Sequence, residues 1–360
     1  MRSNQGLRQA MCRVVALVAT VILAGCGGST AEPAAPGTVP QTASAAATAT
    51  QAATAIALPT PPGVDPVPPA FVAPAEACAG QSSWTGVPAL VIRLADAWHE
   101  HDAAKRRAIL DEVWAEDGTY VDPFSDPVVG RDALSDVMGY GVAPGQYIEL
   151  RSWSASDMHH GAIRLVWRHC CPSGLSLLEG TDLATIDEDG RIGRVVSFWS
   201  HFVDEPAEGA CAGPLVSPGA PTTPAPTAAA TCARSEADRG SVPPVAAGYV
   251  RAWNERDPGK RLALLGEVWA ADGTYADPYV DGIVAGREAL SKHIGGFLET
   301  ASHGASFQPR PTTEGDAHHG YLRMPWNYCD ADGKVVWVGD DILELDGEGR
   351  VVRNLGFFAL

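Results

Sequence analysis

Residues 98–123, WHEHDAAKRRAILDEVWAEDGTYVDP, recur at 253–278 as WNERDPGKRLALLGEVWAADGTYADP, at a constant offset of 155. The echo continues in Gly130-Arg131 and Gly286-Arg287, His159-His160-Gly161 and His318-His319-Gly320, Trp167 and Trp326, Asp182 and Asp341, and Gly190-Arg191 and Gly349-Arg350, with the offset drifting only to 159. The chain therefore carries two copies of one unit of roughly 130 residues, enough to bury a core of its own and too long for a solenoid repeat. Each copy is a control on the other, because a residue present in only one of them is not needed merely to build the fold.

Ahead of the copies, Arg2, Arg8 and Arg13 precede an apolar run over 14–23 that closes in Leu23-Ala24-Gly25-Cys26. The run is too short to span a bilayer and has the layout of a secretory leader. Its Leu-Ala-Gly-Cys ending resembles the bacterial lipobox, which implies removal of residues 1–25, lipidation of Cys26, and a protein held by its N-terminal lipid to the membrane of a bacterial cell envelope, outside the cytoplasm. Residues 26–76, rich in Ala, Thr and Pro, lack the large apolar side chains that would offset the entropy of ordering them, and they read as a tether. A second stretch of this kind, 214–231, reads as a linker between domains at 77–213 and 232–360, with proline stiffening both segments.

The net charge is −17, and −20 once the three leader arginines are gone. Such a surface is repelled by phosphate and by anionic lipid, which excludes nucleic acid as the expected partner and leaves neutral or apolar molecules, cations or other proteins. Leaving out Cys12 of the leader and Cys26, the cysteines are Cys78, Cys170, Cys171, Cys211, Cys232 and Cys329. The duplication maps Cys78 onto Cys232 and Cys170 onto Cys329. This predicts Cys78–Cys170 and Cys232–Cys329, with Cys171–Cys211 as a bridge of the first copy alone. Adjacent strand residues point to opposite faces, so Cys170 and Cys171 should find separate partners. No Cys-x-x-Cys or Cys/His ligand spacing occurs, and neither a metal nor a cofactor is expected.

Val91, Leu94, Ala95 and Trp98, like Ala246, Tyr249, Val250 and Trp253, follow i, i+3, i+4, i+7 spacing and predict an amphipathic first helix. A second helix is expected over about 103–116 and 258–271, then a short strand over 118–122 and 273–277 broken by Pro123 and Pro278. A third helix follows Gly130-Arg131 and Gly286-Arg287, and four longer antiparallel strands complete each copy. Helices followed by strands indicate an α+β class with helices packed on a curved sheet.

This order, with Asp-Pro after the first strand and Phe198-Trp199 or Phe357-Phe358 near the end, resembles the nuclear transport factor 2-like superfamily in its SnoaL-like branch, over nearly the full length of both copies. The resemblance implies a cone-shaped, mostly antiparallel sheet around a pocket plugged by three helices. It implies no single function, since the superfamily includes isomerases, cyclases and dehydratases as well as members that only bind or assemble. The ketosteroid isomerases of that superfamily pair an aspartate base with an oxyanion hole made of a Tyr and a protonated Asp. By resemblance, Asp122 and Asp277 match the base, Tyr249 the oxyanion Tyr, and Asp182 and Asp341 the oxyanion Asp. The first copy has Leu94 where the second has Tyr249, so the expected catalytic set is Asp277, Tyr249 and Asp341.

The strand period supports part of that match, because Asp341 shares its face with Trp337, Gly339, Leu343 and Leu345, and Asp182 with Leu178, Gly180, Ala184 and Ile186. An acid on an apolar face is desolvated, which favours its protonated form. Structural readings compete. Asp-Pro opens turns in which the carboxylate bonds its own backbone, Tyr249 lies on an apolar stripe, and Asp182 and Asp341 can accept from an indole N–H. The two rings of each His-His pair should diverge at a strand start, leaving no chelating pair.

The expectation is a small, largely apolar or aromatic molecule bound in pockets lined by Asp122, Asp182, Trp167, Trp253, Trp326 and Trp337. The alternative is a proton-transfer enzyme confined to the second copy, and a structural envelope module is the third reading.

Overall fold

The computed structural model describes residues 78, 86–152, 154–202, 209–212, 232 and 242–359; the leader, Cys26, the tether and the linker lie outside them. The first repeat runs α1 (Ala89–His99), α2 (Ala103–Val113), β1 (Trp114–Val121), β2 (Val128–Val129), α3 (Arg131–Gly141), β3 (Tyr147–Ser152), β4 (Met158–His159), β5 (Ala162–Cys170), β6 (Ser176–Ile186) and β7 (Ile192–Phe202). The second runs α4 (Pro244–Asn254), α5 (Pro258–Val268), β8 (Trp269–Ala276), β9 (Val284–Ala285), α6 (Arg287–Thr300), β10 (Ser306–Pro309), β11 (Ala317–His318), β12 (Tyr321–Cys329), β13 (Val335–Leu345) and β14 (Val351–Ala359).

Each repeat forms a seven-stranded curved sheet, ordered β2-β1-β7-β6-β5-β3 in the first and β9-β8-β14-β13-β12-β10 in the second, with β4 and β11 paired to β5 and β12. Pairing is antiparallel except where β1 meets β7 and β8 meets β14. The class is α+β, as the order of elements in the sequence requires.

The second helix of each repeat stops three residues earlier than its sequence pattern suggests. Trp114 and Trp269 already have extended backbones, and their N–H groups close the last helical turn on Leu110 O and Leu265 O. Both indoles are buried, and each lies on a glycine of its own strand: a Cβ on Gly118 would come within 2.3 Å of Trp114 Nε1, and one on Gly273 within 2.5 Å of Trp269 Nε1. The strand bulges there to accommodate the ring, as the register shift between Trp114 and Thr119 records. Asp102 and Asp257 start α2 and α5 as N-caps, accepting from Lys105 N at 3.0 Å and Lys260 N at 2.8 Å.

All three disulfides pair as the duplication requires: Cys78–Cys170, Cys232–Cys329 and Cys171–Cys211. The two equivalent bridges sit alike, with Cys78 N donating to Gly174 O at 2.7 Å and Cys232 N to Gly333 O at 2.9 Å.

The repeats pack against each other within one compact unit. Ala162, Leu183, Val196 and Phe198 of the first form a continuous buried cluster with Ala276, Ile342, Leu355 and Phe357 of the second. Beside it lies a buried ionic cluster in which Arg164 meets Asp157 and Asp340, and Arg323 meets Asp316 and the same Asp340. Asp157 and Arg164 correspond to Asp316 and Arg323, so the pairing is symmetric apart from Asp340, whose counterpart is Thr181.

The His-His pairs belong to this interface. His159 packs on Phe357 and His318 on Phe198, with centroids 4.6 and 5.1 Å apart. Their rings do not diverge as the strand rule predicts: Nδ1 of His159 lies 3.0 Å from Nδ1 of His160, and the His318–His319 distance is 3.2 Å. The reason is the left-handed backbone of His160 and His319, both at φ 49°, which ends the strand and turns the second ring back onto the first. His318 Nε2–H donates across the interface to Ser197 O at 3.0 Å. No described helix is long and apolar enough to cross a membrane.

Candidate binding site

The first repeat encloses a cavity of about 200 Å³ between α1, α3 and the concave face of its sheet. Its walls include Leu94 and Trp98 of α1, Gly141 of α3, Ile148 of β3, Trp167 and His169 of β5, Leu178 and Asp182 of β6, Trp199 of β7, and Tyr120 and Asp122 at the end of β1. An apolar cavity of roughly 150 Å³ already takes up benzene, so this space admits a molecule of that size or somewhat larger.

The second repeat shows why the first is hollow. At the offsets of 155, 156 and 159 set by the duplication, Leu94, Gly141, Ile148, His169 and Leu178 correspond to Tyr249, Phe297, Phe307, Tyr328 and Trp337. Strand register confirms the pairing, since Ile148 faces His169 where Phe307 faces Tyr328. Five larger rings thus project where the first repeat has small or shorter side chains. They pack on one another: Phe307–Tyr328 centroids lie 4.7 Å apart, Tyr328–Trp337 5.0 Å, and Phe297–Phe307 5.4 Å. Trp253, Trp326 and Trp337, expected as pocket walls, are members or neighbours of this aromatic core. The difference is visible in the two sequences once they are compared position by position for volume rather than for chemistry.

The polar groups are equally distinct. In the first repeat, Asp182 Oδ1 accepts from Trp167 Nε1 at 2.7 Å and Ser197 Oγ at 2.6 Å, and Trp199 Nε1 donates to Ser197 Oγ at 3.0 Å. Burial pushes Asp182 up to about 6, against the pull of the Ser197 and Trp167 hydrogen bonds. Asp122 folds into a turn: Oδ1 accepts from Phe124 N at 2.8 Å and Ser125 N at 2.9 Å, and Oδ2 from Ser125 Oγ at 2.8 Å. His169 is pulled down to about 4 by burial and by His99. Gln146 Oε1 accepts from Ala143 N at 3.1 Å, which orients the amide and makes His169 Nε2, 2.9 Å away, the donor.

In the second repeat Tyr249 and Asp341 meet on Asn354, and Asp277 lies across Gly356 from Asp341. Asn354 Nδ2 donates to Tyr249 Oη at 2.8 Å and to Asp341 Oδ2 at 2.7 Å, while Trp326 Nε1 donates to Asp341 Oδ1 at 2.8 Å. Asp277 accepts from Tyr279 N, Val280 N and the Tyr275 hydroxyl, so both of its oxygens are engaged. Gly356 lies among Asp341, Asp277 and Tyr275, where the first repeat has Ser197. Sequence reasoning missed Asn354, which has Val195 as its counterpart and sits on a strand that otherwise reads as largely apolar.

Burial raises Asp341 to about 7. An acid whose folded value lies above its unfolded value near 4 costs stability as pH rises between the two. The wild type should therefore lose on the order of 2–3 kcal/mol from this group between pH 5 and 8, and Asp341→Asn should not. The Asn354 amide accommodates the substitution by rotating, which brings its otherwise unpartnered Oδ1 onto the new donor. Urea melts at the two pH values read this directly, and parallel pH profiles for both proteins would disprove it.

No protein-family profile matches the chain, and no curated protein does. Among solved structures it is similar to a "putative isomerase of the SnoaL-like family" from Agrobacterium tumefaciens, at 30% identity over 32% of this chain and 95% of that one, TM-score 0.30. It is also similar to an NTF2-like protein of unknown function from Exiguobacterium, at 17% identity over 32% and 98%, TM-score 0.25. Each of these spans the length of a single repeat. What decides the fold is the geometry of the chain itself: three helices laid over a curved seven-stranded sheet whose first long strand runs parallel to its last. Each repeat has the NTF2-like fold. Within that fold the first repeat keeps a cavity at positions where the second carries larger rings.

Proposed function

We propose that the first NTF2-like repeat is a binding domain for a small, largely apolar molecule, and that the second is its packed structural partner. The supporting observation is the aromatic-walled cavity of the first repeat, set against the rings occupying the equivalent positions of the second. Binding should alter the emission of Trp98, Trp167 and Trp199, whose rings would exchange water for ligand. A panel of aromatic and alicyclic compounds titrated into the full chain should yield ligands that shift fluorescence and raise Tm, the gain being about 2.7 kcal/mol at a hundredfold excess over Kd. Ile148→Phe with Leu178→Trp, which imports two rings of the second repeat, should weaken those ligands about tenfold or more. A panel that moves neither signal would disprove the reading.

A proton-transfer role in the second repeat is the other reading, favoured by the convergence of Asp341 and Tyr249 on Asn354 close to Asp277. It uses Asp277 as base and Tyr249 with Asp341 as oxyanion donors, and carbonyl members of the same panel, followed for proton exchange, test it. Lipid anchoring through Cys26 is supported by the Leu-Ala-Gly-Cys sequence and the tether behind it. Cys26→Ser should move the protein from the membrane pellet to the supernatant on fractionation.

A further inference from the structure

Among the described residues, the cavity of the first repeat presents acceptors and no cationic partner. Of its walls, only Asp122, Asp182 and His169 carry titratable groups besides Tyr120, and no Lys or Arg is among them. Two of its three indole donors are already committed inside the protein. Trp167 Nε1 serves Asp182, and Trp199 Nε1 serves Ser197, whose own hydroxyl serves Asp182. His169 donates through Nε2 to Gln146, which leaves Nδ1 as an acceptor. Asp182 receives both of its hydrogen bonds on Oδ1. Around these acceptors stand the rings of Trp98, Tyr120, Trp167 and Trp199. Aromatic faces and desolvated carboxylates both attract cations, and the whole chain is strongly acidic at −17.

Taking the binding reading above as its basis, we infer that the molecule bound in this cavity is a small amine or quaternary ammonium with an aromatic or aliphatic body. Its charged end would lie against Asp182 and Asp122, and its body against Leu94, Ile148 and Leu178. Both carboxylates are hydrogen-bonded by neutral donors alone, so a neutral ligand of the same size would leave their charge uncompensated, which a cation avoids.

Benzyltrimethylammonium and 4-phenylbutan-2-one have equal numbers of non-hydrogen atoms, and neither titrates between pH 5 and 8. Titrated into the full chain at pH 7.5, followed by calorimetry and Trp fluorescence, the ammonium should bind about tenfold or more tighter than the ketone. Asp182→Asn keeps the shape of the side chain and removes its charge, and it should weaken the ammonium several-fold more than the ketone, narrowing that preference. A second measurement does not depend on the variant folding. Lowering the pH of the wild type to 5 protonates Asp182 and should weaken the ammonium alone. Asp122 at the end of β1 is a second carboxylate facing the same space. Tyr120, pushed further up by burial, stays neutral, and His169, neutral down to about 4, adds no charge above pH 5. Ketone binding equal to or tighter than ammonium binding would overturn the inference and leave the binding reading standing. Absence of binding by both ligands would overturn the inference and count against that reading as well.

Discussion

Removing Cys232–Cys329 by a double serine substitution should lower stability by roughly 4–5 kcal/mol, and removing Cys78–Cys170 by about the same. The bridges close loops of 97 and 92 residues, and in the chain-entropy model the loss scales only with the logarithm of loop length. For a folded unit of this size that corresponds to a fall in Tm of roughly 10–20 °C, measurable in a thermal melt with and without reductant. Both bridges do the same job: each ties the segment ahead of the first helix to the end of the first of the three long strands, β5 or β12, so the helices cannot leave the sheet without opening a long loop. Cys171–Cys211 instead pins residues 209–212, after β7, to the β5–β6 turn, where Ser173 Oγ also donates to Ala210 O at 2.6 Å. Its loss should therefore loosen that segment more than the core. Peptide mapping without reduction checks the pairing, and a Cys170–Cys329 peptide would contradict it.

That the bridges were legible in the sequence follows from the duplication, which replaces many possible pairings with a single symmetric set. The helices were legible for an equally local reason, since the apolar stripe through Val91, Leu94 and Trp98 has the period of a helix. The start of β1 was not, because the ring of Trp114 lies back over Gly118 and the bulge that accommodates it has no periodic signature. The His-His pairs misled for the same kind of reason: a left-handed residue after a two-residue strand reverses the direction the alternation rule assigns. The site was half legible. Chemistry picked out Asp122, Asp182, Asp277, Tyr249 and Asp341, and the structure brings each set of acids together. Which repeat holds the cavity is a matter of summed side-chain volume across three separate elements, and Gly141 against Phe297 or Leu178 against Trp337 acquires meaning only when those elements are known to face one another. The residues expected as a catalytic set thus lie in the repeat that carries the larger rings, and the cavity lined by Asp122 and Asp182 lies in the repeat that lacks the Tyr.

Asp340→Ala should cost about 3–5 kcal/mol, the typical consequence of removing one partner from a buried ionic cluster. Asp340 Oδ2 lies 3.0 Å from Arg164 Nη1 and its Oδ1 2.8 Å from Arg323 Nη2, with all three side chains at most 7% exposed. Burial alone would raise the Asp340 carboxyl, but Arg323, Arg164 and Arg310 overcome it and hold the group below its ordinary value. The sign of the pH dependence follows. An acid depressed in the folded state contributes stability above its unfolded value near 4 and loses it as pH falls through the folded value, so the gap between wild type and variant should persist from pH 8 to 5 and narrow only below about 4. Asp157, Asp316 and Asp340 stand against Arg164, Arg323 and Arg310, an even charge count that the variant leaves one positive charge in excess. The pseudo-symmetry supplies the control. Thr181 occupies the position in the first repeat equivalent to Asp340, so Thr181→Asp in the Asp340→Thr background should recover part of the loss by presenting the same charge from the other side. Urea denaturation at pH 7 and pH 3 measures both effects. A variant as stable as the wild type at pH 7 would show that the two NTF2-like repeats are held together by the Phe198 and Phe357 cluster alone; a rescued double variant would show that the interface requires one shared acid and is indifferent to which copy supplies it.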